Sequence, residues 1–144
     1  MKPAKFQTEG AGFIYERDSS MLFARMGTGK TLTYLLAMKD WIVEGDVKRI
    51  MVVAPPRVAR NVWRQERDKW QSPLTMSLCD GSMGKLAQRA AVEVDTHVLL
   101  TNYNMFRKIL EDDTHRCDAV VFDELSQIRN GTGKWQKAAR HAPF

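Results

Sequence analysis

Two short clusters in this chain carry residues whose types and spacing could do chemistry. The first is Ala24-Arg25-Met26-Gly27-Thr28-Gly29-Lys30-Thr31. Gly27 and Gly29 allow backbone angles that a side chain forbids, so main-chain N–H groups can close around a phosphate, and a helix starting here adds the partial positive charge of its N-terminus. In such a loop Lys30 reaches the β- and γ-phosphates of ATP and the Thr31 hydroxyl ligates Mg²⁺. Gly27, Thr28, Gly29, Lys30 and Thr31 are the expected nucleotide contacts. The motif is relaxed at one point, where Ala24 replaces the generic glycine. The bland alternative, a glycine-rich turn before an ordinary helix, is disfavoured by the Lys-Thr pair and by the strand-to-helix setting.

The second cluster is Asp123-Glu124, directly after the apolar run Ala119-Val120-Val121-Phe122. A buried strand ending there delivers Asp123 to the carboxyl edge of a sheet, where ligands of open α/β folds bind. Asp123 is then expected to hold the Mg²⁺ shell and Glu124 to orient the attacking water. An isolated Asp-Glu would read equally well as two solvated acids; downstream of a phosphate loop it reads as the second half of a site. Gly131-Thr132-Gly133-Lys134 looks like another phosphate loop, but Trp135 stands in place of the hydroxyl residue, and it reads as a plain loop. Cys79 and Cys117 form no CxxC pair and are too scattered from His97, His115 and His141 to make a metal site, so both read as structural thiols.

These clusters need elements to position them. Five apolar runs read as buried strands, namely Met21–Ala24, Ile50–Ala54, Thr75–Cys79, His97–Thr101 and Ala119–Phe122. Helical patterns fall between or after them, over Lys30–Val43, Arg57–Trp70, Lys85–Val92, Tyr103–Leu110 and Lys134–His141. Alternation of this kind predicts crossover units and a mainly parallel sheet. The 144 residues, 44% hydrophobic and 27% charged, fit one globular α/β domain over 1–144 and exclude a disordered or fibrous chain. No run approaches a membrane span or a signal peptide, so a soluble cytoplasmic protein is expected, with no membrane partner. The net charge of +5 fits a polyanion partner but is also common in proteins that touch none.

Taken together, the motifs resemble superfamily-two helicases and translocases, specifically the Swi/Snf-like branch and its compact phage versions. Lys5-Phe6-Gln7 looks like the upstream glutamine motif, which implies that Gln7 reads the adenine. Ala24 to Thr31 resembles motif I. Val52-Val53-Ala54-Pro55-Pro56 with Trp63, Glu66 and Trp70 is similar to motif Ia, and Leu99-Leu100-Thr101-Asn102-Tyr103 to motif Ib. Asp123-Glu124-Leu125-Ser126 and the residues to Asn130 resemble motif II, with Ser126 replacing the usual His or Asp and Lys134 at a following lysine position. The resemblance implies a P-loop NTPase lobe of the RecA-like type, binding ATP and Mg²⁺, with duplex DNA as partner. It implies phosphate contacts at Arg57, Arg60, Thr101 and Asn102, although arginines at helical spacing also make ordinary solvated faces. Trp63 and Trp70 read as core anchors.

The resemblance ends before motif III and before a second RecA-like domain. The expectation is therefore a truncated ATP-binding lobe lacking the central motif III strand. In it, either the strands of motifs I and II close up and pair directly, or the chain is marginally stable and needs a partner segment; a second chain is the expected source of the missing RecA-like domain. An arginine finger contributes orders of magnitude to turnover, so little translocation is expected from this chain alone. The alternative is a non-catalytic DNA- or protein-binding module derived from a truncated helicase; a decayed gene fragment is the third reading. For a phage protein, the host cytoplasm is the implied location.

Overall fold

The computed structural model describes residues 2–23, 25, 27–112 and 115–124. Within them, helix α1 (Lys5–Tyr15) and helix α2 (Lys30–Glu44) precede strand β1 (Ile50–Val53). Helix α3 (Trp63–Lys69), strand β2 (Met76–Cys79), helix α4 (Lys85–Glu93), strand β3 (Val98–Thr101), helix α5 (Tyr103–Asp112) and strand β4 (Ala119–Phe122) follow. The strands form one sheet in the order β2-β3-β1-β4. Every pairing is parallel, with Val53 opposite both Thr101 and Phe122 and Cys79 opposite Thr101. All four carboxyl ends therefore line one edge, and whatever follows a strand emerges there.

Both faces of the sheet are covered, because alternate residues of a strand point to opposite sides. Ile50, Val52, Val98 and Leu100 pack with Leu35 and Met38 of α2 and with Trp63. Met51, Val53 and Leu99 pack with Tyr103, Phe106 and Ile109 of α5 and with Val92 of α4. This two-sided burial explains why β1 and β3 read as unbroken apolar runs. Helix α2 stops at Gly45, whose φ of +81° is the left-handed conformation that glycine takes at a helix C-terminus. Helix α3 is entered through a wide π-turn over Val58–Val62, which turns Ala59 and Trp63 inward against the sheet.

At the amino end of the sheet, Arg49 is buried and donates to the carbonyls of Val92 (2.7 Å) and His115 (2.9 Å). Asp118 accepts the backbone N–H groups of Lys48 and Arg49 at 2.8 and 3.1 Å. These long-range bonds fix β1 against β4 at the end away from the site.

Of the run Met21–Ala24, the described residues Met21–Phe23 do not form the expected strand. Among the described residues β4 pairs with β1 alone, Met21 and Phe23 are 55% and 87% exposed, and Leu22 packs against the α1–α2 cluster. A short apolar run becomes a strand only where a neighbour completes its hydrogen-bond ladder. Of the two expected outcomes, direct pairing of the motif I and motif II segments is not what the described residues show. Helix α1, by contrast, was not expected; it packs on α2 through Ala11, Ile14 and Ala37. The segment Leu125–Asn130, the glycine loop Gly131–Lys134, helix Lys134–His141 and Ala24 itself lie outside the described residues.

Candidate functional site

The phosphate loop turns into α2 through Gly27 and Gly29, both at φ +78°. The backbone angle at Gly29 favours glycine, and a side chain there would displace the amide end of Gln7. Gln7 Nε2 donates to the Thr28 carbonyl (3.2 Å) and its Oε1 accepts the Ala4 N–H (2.9 Å). The expected adenine reader is thus also a strut between α1 and the phosphate loop. Thr28 closes the loop on itself, its hydroxyl donating to the Arg25 carbonyl at 2.8 Å. Lys30 and Thr31 open α2 and are half-buried.

Asp123 follows β4 at the carboxyl edge, its N–H donating to the Val53 carbonyl at 2.8 Å and so extending the ladder by one step. Lys30, Tyr34, Asp123 and Glu124 line one groove of about 1110 Å³. Burial pushes the Asp123 carboxyl up from its ordinary value, opposed by the Trp63 indole N–H, by the charge of Lys30 and by the Glu124 backbone. Burial also raises the Tyr34 hydroxyl, with the Asp123 charge adding to it. A desolvated carboxylate facing a lysine across a groove is an environment that a cation bound there would relieve.

The acidic pair is held from behind. Trp63, fully buried, donates its indole N–H to Asp123 Oδ2 at 3.2 Å. The Tyr103 hydroxyl donates to the Asp123 carbonyl at 2.6 Å and lies 3.3 Å from the Glu124 carbonyl. Glu124 needs this support, because its φ of +60° is left-handed, a conformation that costs a non-glycine residue about 1 kcal/mol or more. The Tyr103 ring stacks on Phe122 at 6.5 Å, and Phe106 meets Phe122 edge-on at 5.2 Å. Sequence reasoning took Trp63 as a core anchor and Tyr103 as part of motif Ib; no local pattern reports that both reach the acidic pair.

The residues expected at a nucleic-acid backbone divide sharply. Arg57 is exposed in the turn after β1. Arg60 is bound by its Nε to Asp80 Oδ2 at 2.5 Å. Thr101 is fully buried and donates its hydroxyl to the Cys79 carbonyl at 2.8 Å. Asn102 is 4% exposed, and its Oδ1 caps α5 by accepting the N–H groups of Asn104 and Met105 at 3.0 and 3.1 Å. Thr101 and Asn102, expected as phosphate contacts, have their side chains turned inward, where they join β2, β3 and α5. Asp80, not singled out from the sequence, was findable by the rule that found Asp123, since it too follows an apolar strand. Burial raises the thiols of Cys79 and Cys117 to about 11 and about 12, in keeping with structural cysteines.

A nucleotide with Mg²⁺ fits this arrangement. Mg²⁺ keeps several waters and is held through one or two carboxylates together with substrate phosphates, so a protein cage is not required. Among the described residues there is no group of three His, Cys, Asp or Glu side chains arranged to hold a metal alone. No helix among them is long and apolar enough to cross a membrane.

The chain is similar to known proteins over nearly its whole length. It is 30% identical over 133 residues to putative protein p41 of Acyrthosiphon pisum secondary endosymbiont phage 1, a match covering 89% of this chain and 29% of that protein. Its fold matches the Sulfolobus solfataricus SWI2/SNF2 ATPase core, solved in complex with double-stranded DNA, with a TM-score of 0.78 at 22% identity. That match covers 97% of this chain and 30% of the other, so the chain spans less than a third of either relative. The model of the SNF2-related domain matches residues 6–142, nearly the whole chain, and the chain belongs to the SNF2-related family.

Proposed function

We propose that this chain is the Mg²⁺-ATP-binding lobe of a DNA-dependent ATPase of the translocase type. The observation that carries the reading is the groove that Lys30, at the start of α2, shares with Asp123 and Glu124, at the end of β4. In this reading the backbone of Gly27, Thr28 and Gly29 cradles the phosphates, Lys30 neutralises them, and Thr31 and Asp123 hold Mg²⁺. The ion, when bound, offsets charge that builds up on the transferring phosphoryl group. Glu124 orients water. Gln7 keeps one amide N–H and one carbonyl lone pair beyond its bonds to Thr28 and Ala4, the donor and acceptor that an adenine edge needs.

Duplex DNA is the proposed partner, met at the carboxyl edge by the turn after β1. Arg57 is the exposed cation there, and Arg60 contributes through what its ion pair with Asp80 leaves free. Because the chain spans under a third of its relatives, turnover is assigned to an assembly that also contains a second RecA-like lobe, on this or another polypeptide. Equilibrium binding of a fluorescent ATP analogue tests the reading. Lys30→Ala should lower affinity about tenfold or more, the loss of a charge-assisted contact. Equal affinity in wild type and Lys30→Ala would refute the assignment of the phosphate loop.

A further inference from the structure

The acidic pair is gripped by two side chains that belong to neither nucleotide motif. Trp63 is the first residue of α3, which follows the turn at Pro55–Arg57, and Tyr103 is the first residue of α5, which follows Thr101 and Asn102. The indole N–H of Trp63 occupies one oxygen of the Asp123 carboxylate, Oδ2, at 3.2 Å and so sets the orientation of the other. The hydroxyl of Tyr103 gathers the carbonyls of Asp123 and Glu124 at 2.6 and 3.3 Å. Both anchors are stiff: Trp63 is 0% exposed, Tyr103 is 7% exposed, and aromatic side chains have few rotamers to lose. A small shift of either helix must therefore move the carboxylate or the turn.

We propose that Trp63 and Tyr103 are positioning residues for the acidic pair, the indole N–H orienting the Asp123 carboxylate and the phenol hydroxyl holding the left-handed turn at Glu124. Through them, displacement of the loops after β1 and β3 reaches the metal- and water-handling groups by one side chain each. The inference rests on the nucleotide reading above and adds a physical route from the DNA-facing edge to the groove.

The test uses ¹H–¹⁵N spectra, in which the four tryptophan indole N–H groups are separately visible. The Trp63 signal, assigned with Trp63→Phe, should move in Asp123→Asn without any ligand. In the wild type it should move on adding Mg²⁺-ADP, and again on adding a short DNA duplex. Tyr103→Phe keeps the ring and removes the hydroxyl. It should shift the Glu124 amide and lower the Mg²⁺-dependent gain in ADP affinity about fivefold, the loss expected for one hydrogen bond, while Mg²⁺-free ADP binding stays unchanged. A Trp63 signal indifferent to Asp123→Asn and to bound Mg²⁺-ADP overturns the proposal. So does an equal loss of ADP affinity with and without Mg²⁺ in Tyr103→Phe, the mark of a merely structural residue. Failure of the wild type to bind any nucleotide overturns the functional reading, and with it the role of the two anchors. Nucleotide binding with an indifferent Trp63 overturns the anchors alone.

Discussion

Arg60 Nε and Asp80 Oδ2 meet at 2.5 Å, joining the helix that follows β1 to the loop that follows β2. Asp80 is 1% exposed and also accepts the Ser82 N–H at 2.8 Å and the Ser82 hydroxyl at 2.5 Å. The hydrogen bond from Arg60 is the main reason its carboxyl sits down at about 2, with Ser82 adding to it against the opposing effect of burial. An arginine that the family resemblance implies as a nucleic-acid contact is thereby made part of the scaffold at the carboxyl edge.

Asp80→Asn should destabilise the domain by about 1–3 kcal/mol, since Arg60 and Ser82 both lose a charged acceptor. The sign of the pH effect follows from the lowered carboxyl. The stabilisation is fully present above the ordinary value of 3.8 and is lost as pH falls through about 2. Urea unfolding followed between pH 5 and 2 should show that decline in wild type and a shallower one in Asp80→Asn. Parallel curves would mean that the ion pair does not hold in solution.

Arg57 and Arg60 should separate in DNA binding. Replacing exposed Arg57 by alanine should lower the slope of log affinity against log salt by about 1, the signature of one phosphate contact removed. Arg60→Ala should change that slope less and lower the unfolding midpoint instead, because its guanidinium is bound to Asp80. Identical slopes for wild type and Arg57→Ala would remove the turn after β1 from the DNA surface.

Asp123→Asn should raise thermal stability while abolishing the Mg²⁺-dependent part of nucleotide binding. The reason is the raised carboxyl: stability is complete below the unfolded value of 3.8 and falls as pH rises through the folded value, so at neutral pH ionised Asp123 opposes folding. Each 1 kcal/mol relieved is worth about 2–4 °C or somewhat more in a domain of this size. A lower melting temperature in Asp123→Asn at pH 7 would show that the hydrogen bond to Trp63 outweighs the burial of charge.

Gln7→Ala removes the strut beneath the phosphate loop, and the affinities for ATP and GTP should both fall by about threefold to tenfold, as for loss of a hydrogen bond or two. Adenine reading adds a second effect, a smaller preference for ATP over GTP in the variant. Competition of both nucleotides against a fluorescent analogue resolves the two. Unchanged affinity for either nucleotide would deny Gln7 any part in the site.

Much of the fold is legible in the residues themselves. The runs at Ile50, Met76, Val98 and Ala119 are apolar at nearly every position, as strands of a sheet covered on both faces are, and the helices between them suit parallel pairing. The exception, Met21–Ala24, is as apolar as the others, yet its described residues Met21–Phe23 form no strand. Nothing in a four-residue run records whether a partner strand will be there. Helix α1 escaped notice because Gly10 and Gly12 interrupt its apolar pattern, and its packing against α2 overrides their weak helical preference.

The candidate site divides along the same line. Glycine spacing, the lysine and hydroxyl after it, and acids at the end of a buried strand are local patterns whose chemistry depends on backbone and residue type, so the sequence alone determined the family and singled out the loop and the acidic pair as its candidate site. Partners 20, 21 and 60 positions apart are another matter: Arg60 with Asp80, Gln7 with Thr28 and Trp63 with Asp123 have no local signature. Strand order and helix packing decided that Thr101 and Asn102 turn inward, that Arg57 stays in solvent, and that Trp63 meets the Asp123 carboxylate while Tyr103 meets the backbone carbonyls of Asp123 and Glu124. Local period decides which side chains a strand or helix can bury; only the closing of the whole sheet decides what each buried polar atom meets.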